Sequence, residues 1–187
     1  MSQYFEVHPL NPQPRLLKQA AQILQAGGVA AIPTDSSYAL ACHLDDKAAA
    51  GQLRRIRAVD ERHHLTLLCR DLSELASYAR VDNRQYRLLK LATPGPFTFI
   101  LEATKEVPRR VSHPSRRTIG LRVPDHPVTG ALLDLLGQPL LATTLTRFPD
   151  HFTDVLPLRW IFCACASNIS ARVRAGPMSS DGFCGLY

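Results

Sequence analysis

The 187-residue chain contains no run of about 18 apolar residues, so no membrane-spanning helix is expected. Its start, Met1-Ser2-Gln3-Tyr4, lacks a basic segment followed by an apolar one, which argues against a secretory signal. Cysteines stand at 42, 69, 163, 165 and 184, an odd number without C-x-x-C spacing. A disulfide framework or a metal site is therefore not expected, and reduced thiols in the cytoplasm are. The phosphate-binding pattern G-x-x-x-x-G-K-[ST] is missing, as are G-x-G-x-x-G and G-x-S-x-G. Common nucleotide-hydrolase, dinucleotide and serine-hydrolase readings lose support accordingly. Aromatic residues make up 7% of the chain and do not interleave with its basic runs, which disfavours a stacking platform for single strands. Neither repeats nor low-complexity tracts divide it.

The composition itself is globular. Hydrophobic residues are 45% and charged residues 20%, close to ordinary folded domains and far from disorder. The formal net charge is +6. An anionic partner such as a nucleotide, RNA or a phosphorylated substrate would suit that excess, and so would a plain solvated surface.

Apolar periodicity predicts alternating helices and strands through about residue 146. Asn11 is read as the cap of a first helix carrying Leu16, Leu17, Ala20, Ile23 and Leu24 inward, ended by Gly27-Gly28. Val29 to Ile32 reads as a buried strand that runs into Thr34-Asp35-Ser36-Ser37, and Tyr38 to Cys42 resumes it. Asp46 caps a second helix to Arg57, and Asp71 with Glu74 opens a short third. Asp82 caps a fourth with Tyr86 and Leu89 inward. Further strands are read at 65–69, 97–101, 118–123 and 140–145. Asp125 is expected to cap a helix carrying Val128, Ala131, Leu132 and Leu135 inward, ended by Gly137. The pattern predicts an α/β domain over residues 1–147, a sheet covered by helices. Over 148–187 no clean period runs, and an irregular tail is expected. An altered or truncated reading frame near residue 147 is one reading of that break.

Four groups could carry chemistry. The hydroxyl-rich loop Pro33 to Tyr38 leaves a strand end, where α/β sheets collect ligands; its competing reading is a polar turn with Asp35 bonding its own backbone. Arg54 and Arg57 share a helical face with forks suited to phosphate, or simply to solvent. Arg109, Arg110, Arg116 and Arg117 form a second basic cluster, with Arg122 at a strand end beside Pro124. Thr143-Thr144-Leu145-Thr146 is hydroxyl-rich again, although threonine also suits strands for its own sake. The adjacent His63 and His64 would point to opposite faces of a strand, so they do not make a metal site.

In order and spacing these residues resemble one family. Gly27 to Leu40, reading GGVAAIPTDSSYAL, is similar to the G-G-x-x-x-x-P-T-[DE]-T-x-Y-G-L opening of the YrdC/YciO-like proteins. Thr93-Pro94-Gly95-Pro96-Phe97-Thr98 resembles their W-P-G-P-[LF]-T motif. Thr118 to Pro124 resembles T-[VI]-[AG]-[VLM]-R-x-P. The resemblance covers roughly residues 5 to 147. It implies a twisted mixed sheet with helices packed on it and a basic concave face. Some members bind double-stranded RNA. Others make threonylcarbamoyl-AMP from threonine, bicarbonate and ATP with Mg²⁺, for modification of tRNA. The resemblance would place threonine near Ser36 and Arg122, and ATP near Arg57, Thr118 and Thr144. Arg54, Arg109, Arg110, Arg116 and Arg117 would then serve RNA or other anions.

Departures point toward the YciO subgroup. The synthases carry K-x-R where this chain has Arg57-Ala58-Val59, so the second cation is a valine. By analogy with one lost electrostatic donor, that would cost about 2–4 kcal/mol of transition-state stabilisation. The usual K-P-L reads His63-His64-Leu65, and S-A-N reads Thr144-Leu145-Thr146. The expectation is a YciO-like nucleotide- or double-stranded-RNA-binding protein with weak or no synthase activity; the alternative is a working synthase.

Overall fold

The computed structural model describes residues 2–112, 115–145 and, for their backbone, 160–164. Five helices and eight strands form a mixed α/β fold. The strands, in chain order, are β1 (Ser2–Glu6), β2 (Val29–Pro33), β3 (Tyr38–His43), β4 (Thr66–Leu68), β5 (Phe99–Glu102), β6 (Thr118–Arg122), β7 (Leu140–Thr144) and β8 (Trp160–Ala164). They make one sheet in the order β1-β8-β2-β3-β7-β4-β6-β5. Only β4 and β6 pair in parallel among the described strands.

The helices are α1 (Pro14–Gln25), α2 (Lys47–Arg57), α3 (Leu72–Tyr78), α4 (Asn83–Ala92) and α5 (Pro127–Leu136). Three start where the sequence places them. Asp46 accepts from the Ala49 N–H at 2.8 Å, Asp71 from Glu74 at 2.8 Å, and Asp82 closes a full capping box with Gln85. The Glu74 carboxylate instead reaches back to the N–H of Arg70, at 2.6 Å.

The other two helix starts correct the sequence reading by one rule. The N-cap of α1 is Gln13 rather than Asn11, and that of α5 is His126 rather than Asp125. Each precedes a proline, and a residue before proline is driven into the extended region. The helix can then begin only at the proline itself, whose missing N–H costs nothing in the first turn. His126 serves as the cap through its Nδ1, which accepts from Val128 at 3.3 Å. Two side chains read as inward are not: Tyr86 is 45% and Leu135 40% exposed. Leu89 fills the core from α4, and Val128, Leu132 and Leu133 do so from α5.

Two strands escape the sequence reading. In β1 only Phe5 is buried of residues 3–6, so its apolar signal is minimal. Within the segment expected to be irregular, β8 pairs antiparallel with both β1 and β2; residues 146–159 and 165–187 lie outside the described residues.

The register divides the sheet into two faces. Val29, Ala31, Leu40, Cys42, Leu141, Leu67, Ile119 and Leu121 face one cluster, with residues of α2, α3 and α4 packed on it. On the other face Ala30, Ile32, Ala39, Ala41, Leu140, Ala142 and Leu68 meet α1 and α5. That second cluster stops at β4: no residue of β6 or β5 belongs to it. The face that carries α1 and α5 is therefore left uncovered over β6 and β5.

Candidate functional site at the uncovered end of the sheet

Paired residues of neighbouring strands share a face, as do alternate residues along one strand. Gly120 pairs with Thr66, Thr66 with Ala142, and Ile100 with Gly120. Thr118, Gly120, Arg122, Thr66, Ile100 and Thr144 thus share the face that α1 and α5 leave open past β4. Ile100 is 59% exposed there, and Thr144 is exposed at the end of β7. Thr143 belongs to the opposite face and is buried, so only one of that threonine pair is available.

Gly120 keeps the floor shallow. A Cβ at this position would stand 2.9 Å from Thr66 Oγ1, and 3.2 Å from both the Leu65 carbonyl and Thr98 Cγ2. Thr66 and Thr98 close over the strand because glycine adds nothing between them.

The loop from β2 to β3 forms one wall. Thr34 is buried, and its hydroxyl accepts from the N–H groups of Ser36 and Ser37 at 3.4 and 3.3 Å. Its role is to hold the turn, which leaves Ser36 exposed at the tip. From α5, the Thr129 hydroxyl donates to the Pro33 carbonyl, and the Leu145 N–H donates to Tyr38 at 2.9 Å. The loop is thereby pinned beside the end of β7 and Thr144.

Arg122 links that wall to β6. Its Nη2 donates to Asp35, and its Nε to the carbonyl of Gly95 at 3.3 Å. Both partners of the ion pair are largely buried, with side chains 11% and 12% exposed. At the other end of β6, Thr118 Oγ1 lies 3.0 Å from His64 Nε2.

The structure thus brings Ser36, Arg122, Thr118 and Thr144 to one side of the sheet. Arg57 ends α2, which packs on the opposite face, and is half-buried. Arg54 Nη1 donates to the carbonyls of Asp60 and His63 at 2.9 and 3.3 Å, and burial lowers its pKa. It ties the end of α2 to the segment that carries His64 into β4. Arg110 similarly donates to the carbonyl of Asp45 at 2.6 Å. Arg109, Arg116 and Arg117 are exposed.

Sequence reasoning missed Asp35, Gly95 and His64 as members of this site. Asp35 was read as a turn residue, and His64 only as a metal ligand to be dismissed. Their partners lie 87, 27 and 54 residues away, and the motifs that contain Asp35 and Gly95 do not say which residue each one meets. Thr146 lies outside the described residues. A cleft of about 490 Å³ opens next to this site, between Arg70, Lys90, Pro94 and His126. None of Ser36, Arg122, Thr118 and Thr144 lines it, so the chemistry is argued from the sheet face.

A family model described as telomere recombination, covering Sua5, YciO and YrdC, matches residues 22–152. The chain belongs to the Sua5/YciO/YrdC family. It is 52% identical to YciO of Escherichia coli strain K12 over 157 residues, 84% of this chain and 76% of that protein. The crystal structure of E. coli YciO superposes with a TM-score of 0.78, covering 82% of this chain and 74% of that one. A threonylcarbamoyl-AMP synthase of Halorhodospira halophila is 33% identical over 137 residues, 73% of this chain and 71% of the synthase. Pyrococcus abyssi Sua5, in its complex with L-threonine, shares the fold at a TM-score of 0.67 and 23% identity, over 71% of this chain and 39% of that one. The chain is a YciO-like member of the Sua5/YciO/YrdC family, related to the threonylcarbamoyl-AMP synthases. Among the described residues no helix is long and apolar enough to cross a membrane.

Proposed function

We propose that the uncovered end of the sheet binds L-threonine beside Ser36 and Arg122 and an adenine nucleotide beside Arg57, Thr118 and Thr144. The protein would be a cytoplasmic relative of the enzymes of tRNA threonylcarbamoyl-adenosine formation, with weak or no synthase turnover of its own. The carrying observation is that Thr118, Arg122 and Thr144 share one open sheet face, while the Ser36 loop is tied to it through Arg122. The guanidinium is a fork suited to a carboxylate. Hydroxyls at strand ends suit ribose and phosphate oxygens. Catalysis at such a site would rest on positioning and electrostatics, with no covalent nucleophile.

Among the described residues no group of three or more His, Cys, Asp or Glu side chains is arranged to hold a metal. Mg²⁺ would arrive with the nucleotide's phosphates, a mode that needs few protein ligands. Val59, where the synthases carry a second cation, argues for weak turnover. Kinship to a synthase at 33% identity keeps the active-enzyme alternative in view.

Calorimetry with ATP and Mg²⁺, with and without threonine and bicarbonate, tests the reading. Nucleotide binding without pyrophosphate release supports it. Binding strengthened by threonine together with pyrophosphate release establishes the synthase alternative. No nucleotide binding refutes both. A second reading, double-stranded RNA as ligand, is favoured by the exposed Arg109, Arg116 and Arg117. It requires affinity that falls steeply with salt, and a flat dependence rejects it.

A further inference from the structure

An aspartate in a tight turn ordinarily accepts from backbone N–H groups two or three residues on. Asp35 does not. The N–H two residues on, of Ser37, goes to the Thr34 hydroxyl instead, as does that of Ser36. Among the described residues the hydrogen-bond partner of the Asp35 carboxylate is Arg122, through Oδ1, while Oδ2 is buried without one. The turn therefore does not need the carboxylate for its own geometry, and the whole charge is directed at one guanidinium.

Arg122 is held at a second point. Its Nε donates to the carbonyl of Gly95, and the Gly95 N–H donates in turn to Val123 at 2.9 Å. That anchor is thus fixed to the exit of β6 itself. A guanidinium carries five N–H donors in one plane. Bonds to Asp35 and Gly95 use two of them, which sets both the tilt of that plane and its rotation. Three donors remain on a fork whose direction is already decided.

We propose that Asp35 is a positioning residue: it orients Arg122 for the carboxylate of an amino-acid ligand and does not itself contact the ligand. The proposal rests on reading the Arg122 side of the uncovered end of the sheet as the threonine site. It also explains why a charged pair sits where hydroxyls alone would shape the turn. Orientation before binding spares the ligand the cost of ordering the side chain.

The test uses the full chain labelled with ¹⁵N-arginine, as wild type, Asp35→Asn, Asp35→Glu and Arg122→Lys. L-Threonine and ATP affinities are measured by calorimetry, and the Arg122 Nε–H resonance by NMR without ligand. Asp35→Asn is expected to weaken threonine by about tenfold, the scale of one charge-assisted hydrogen bond, and to broaden the Nε–H signal, with ATP affinity unchanged. Asp35→Glu retains the charge on a longer stem, so it should recover most of the loss while shifting the signal. Arg122→Lys, which removes the fork, should lose threonine more fully than either. Unchanged threonine affinity and an unchanged Nε–H signal in Asp35→Asn would overturn the proposal. If Asp35→Asn does not fold, an Asp35→Glu variant identical to wild type in both readouts overturns it equally. Wild-type protein that binds no threonine, with the signal still lost in Asp35→Asn, rejects the threonine site but upholds the positioning.

Discussion

Arg122 on β6 donates to the carboxylate of Asp35, in the loop that follows β2, across three intervening strands. On a flat sheet four strand spacings of about 4.8 Å would separate β2 from β6 by about 19 Å. Sheets twist by roughly 20–25° per strand, which accumulates to about 90° over four steps. The end of β2 is thereby turned toward β6, and a loop of four residues with one long side chain closes the remaining gap. This pair is the clasp of the site.

Breaking the clasp should be costly from one side and less so from both. Asp35→Ala leaves the Arg122 guanidinium buried without its counter-charge, a loss of about 3–5 kcal/mol. Arg122→Met leaves the carboxylate in the same position. The double variant removes both charges and should be more stable than the two single losses predict, with a coupling of about 1–3 kcal/mol. Urea denaturation of the four proteins measures it; strict additivity would show that the pair does not interact.

Ala58 follows α2 in the left-handed region, at φ 52°. A helix commonly ends on such a residue, usually glycine, because a Cβ is crowded there. Ala58→Gly should stabilise the protein by about 0.5–1 kcal/mol, after the added chain entropy of glycine is set against the relieved crowding. For a chain of this size that is a rise of about 2 °C in Tm. Ala58→Val should lower Tm, since a branched side chain crowds the same backbone further.

Asp71 supplies a pH dependence with a definite sign. The N–H of Glu74, more than any other neighbour, holds its carboxyl below the usual carboxylate value. A group depressed in the folded state contributes its stability above the unfolded value of about 3.9 and loses it as pH falls through the folded value. Asp71 is largely exposed, so the effect is small after solvent screening. Asp71→Asn should reduce the fall of Tm on acidification below about pH 4 and leave the neutral plateau nearly unchanged, as read by thermal melts from pH 2.5 to 7.

Cys42 and Cys69 are free, fully covered thiols in the core beneath α2 and α3. Burial, with Asp46 adding to it, pushes the Cys42 thiol up to about 12. Burial first, then Glu74 and Asp71, pushes Cys69 well above its ordinary range. Only the thiolate reacts readily. Iodoacetamide at pH 8 should leave both unmodified in the native protein and label both in urea, as read by peptide mass spectrometry. Rapid native labelling of either would show that the core opens there.

Sequence alone determined whatever depends on neighbours within about four residues. Asp46, Asp71 and Asp82 mark helix starts because a cap bonds N–H groups two or three positions on, and Gly137 marks an end because its backbone turns left-handed at φ 63°. Gln13 and His126 are legible on the same scale, because the residue before Pro14 or Pro127 is driven out of the helical region, which outweighs the capping preference of Asn11 and Asp125. The ordered motifs around Thr34, Gly95 and Arg122 identified the family for the same reason. Tertiary structure decided the rest. It inserted β8 between β1 and β2, sent Thr143 to one face and Thr144 to the other, and left β6 and β5 uncovered on one face. It also gave the Asp35 carboxylate to Arg122 in place of its own turn. Strand register and accumulated twist are set by pairing between distant segments, and a partner 87 residues away leaves no trace in a local pattern.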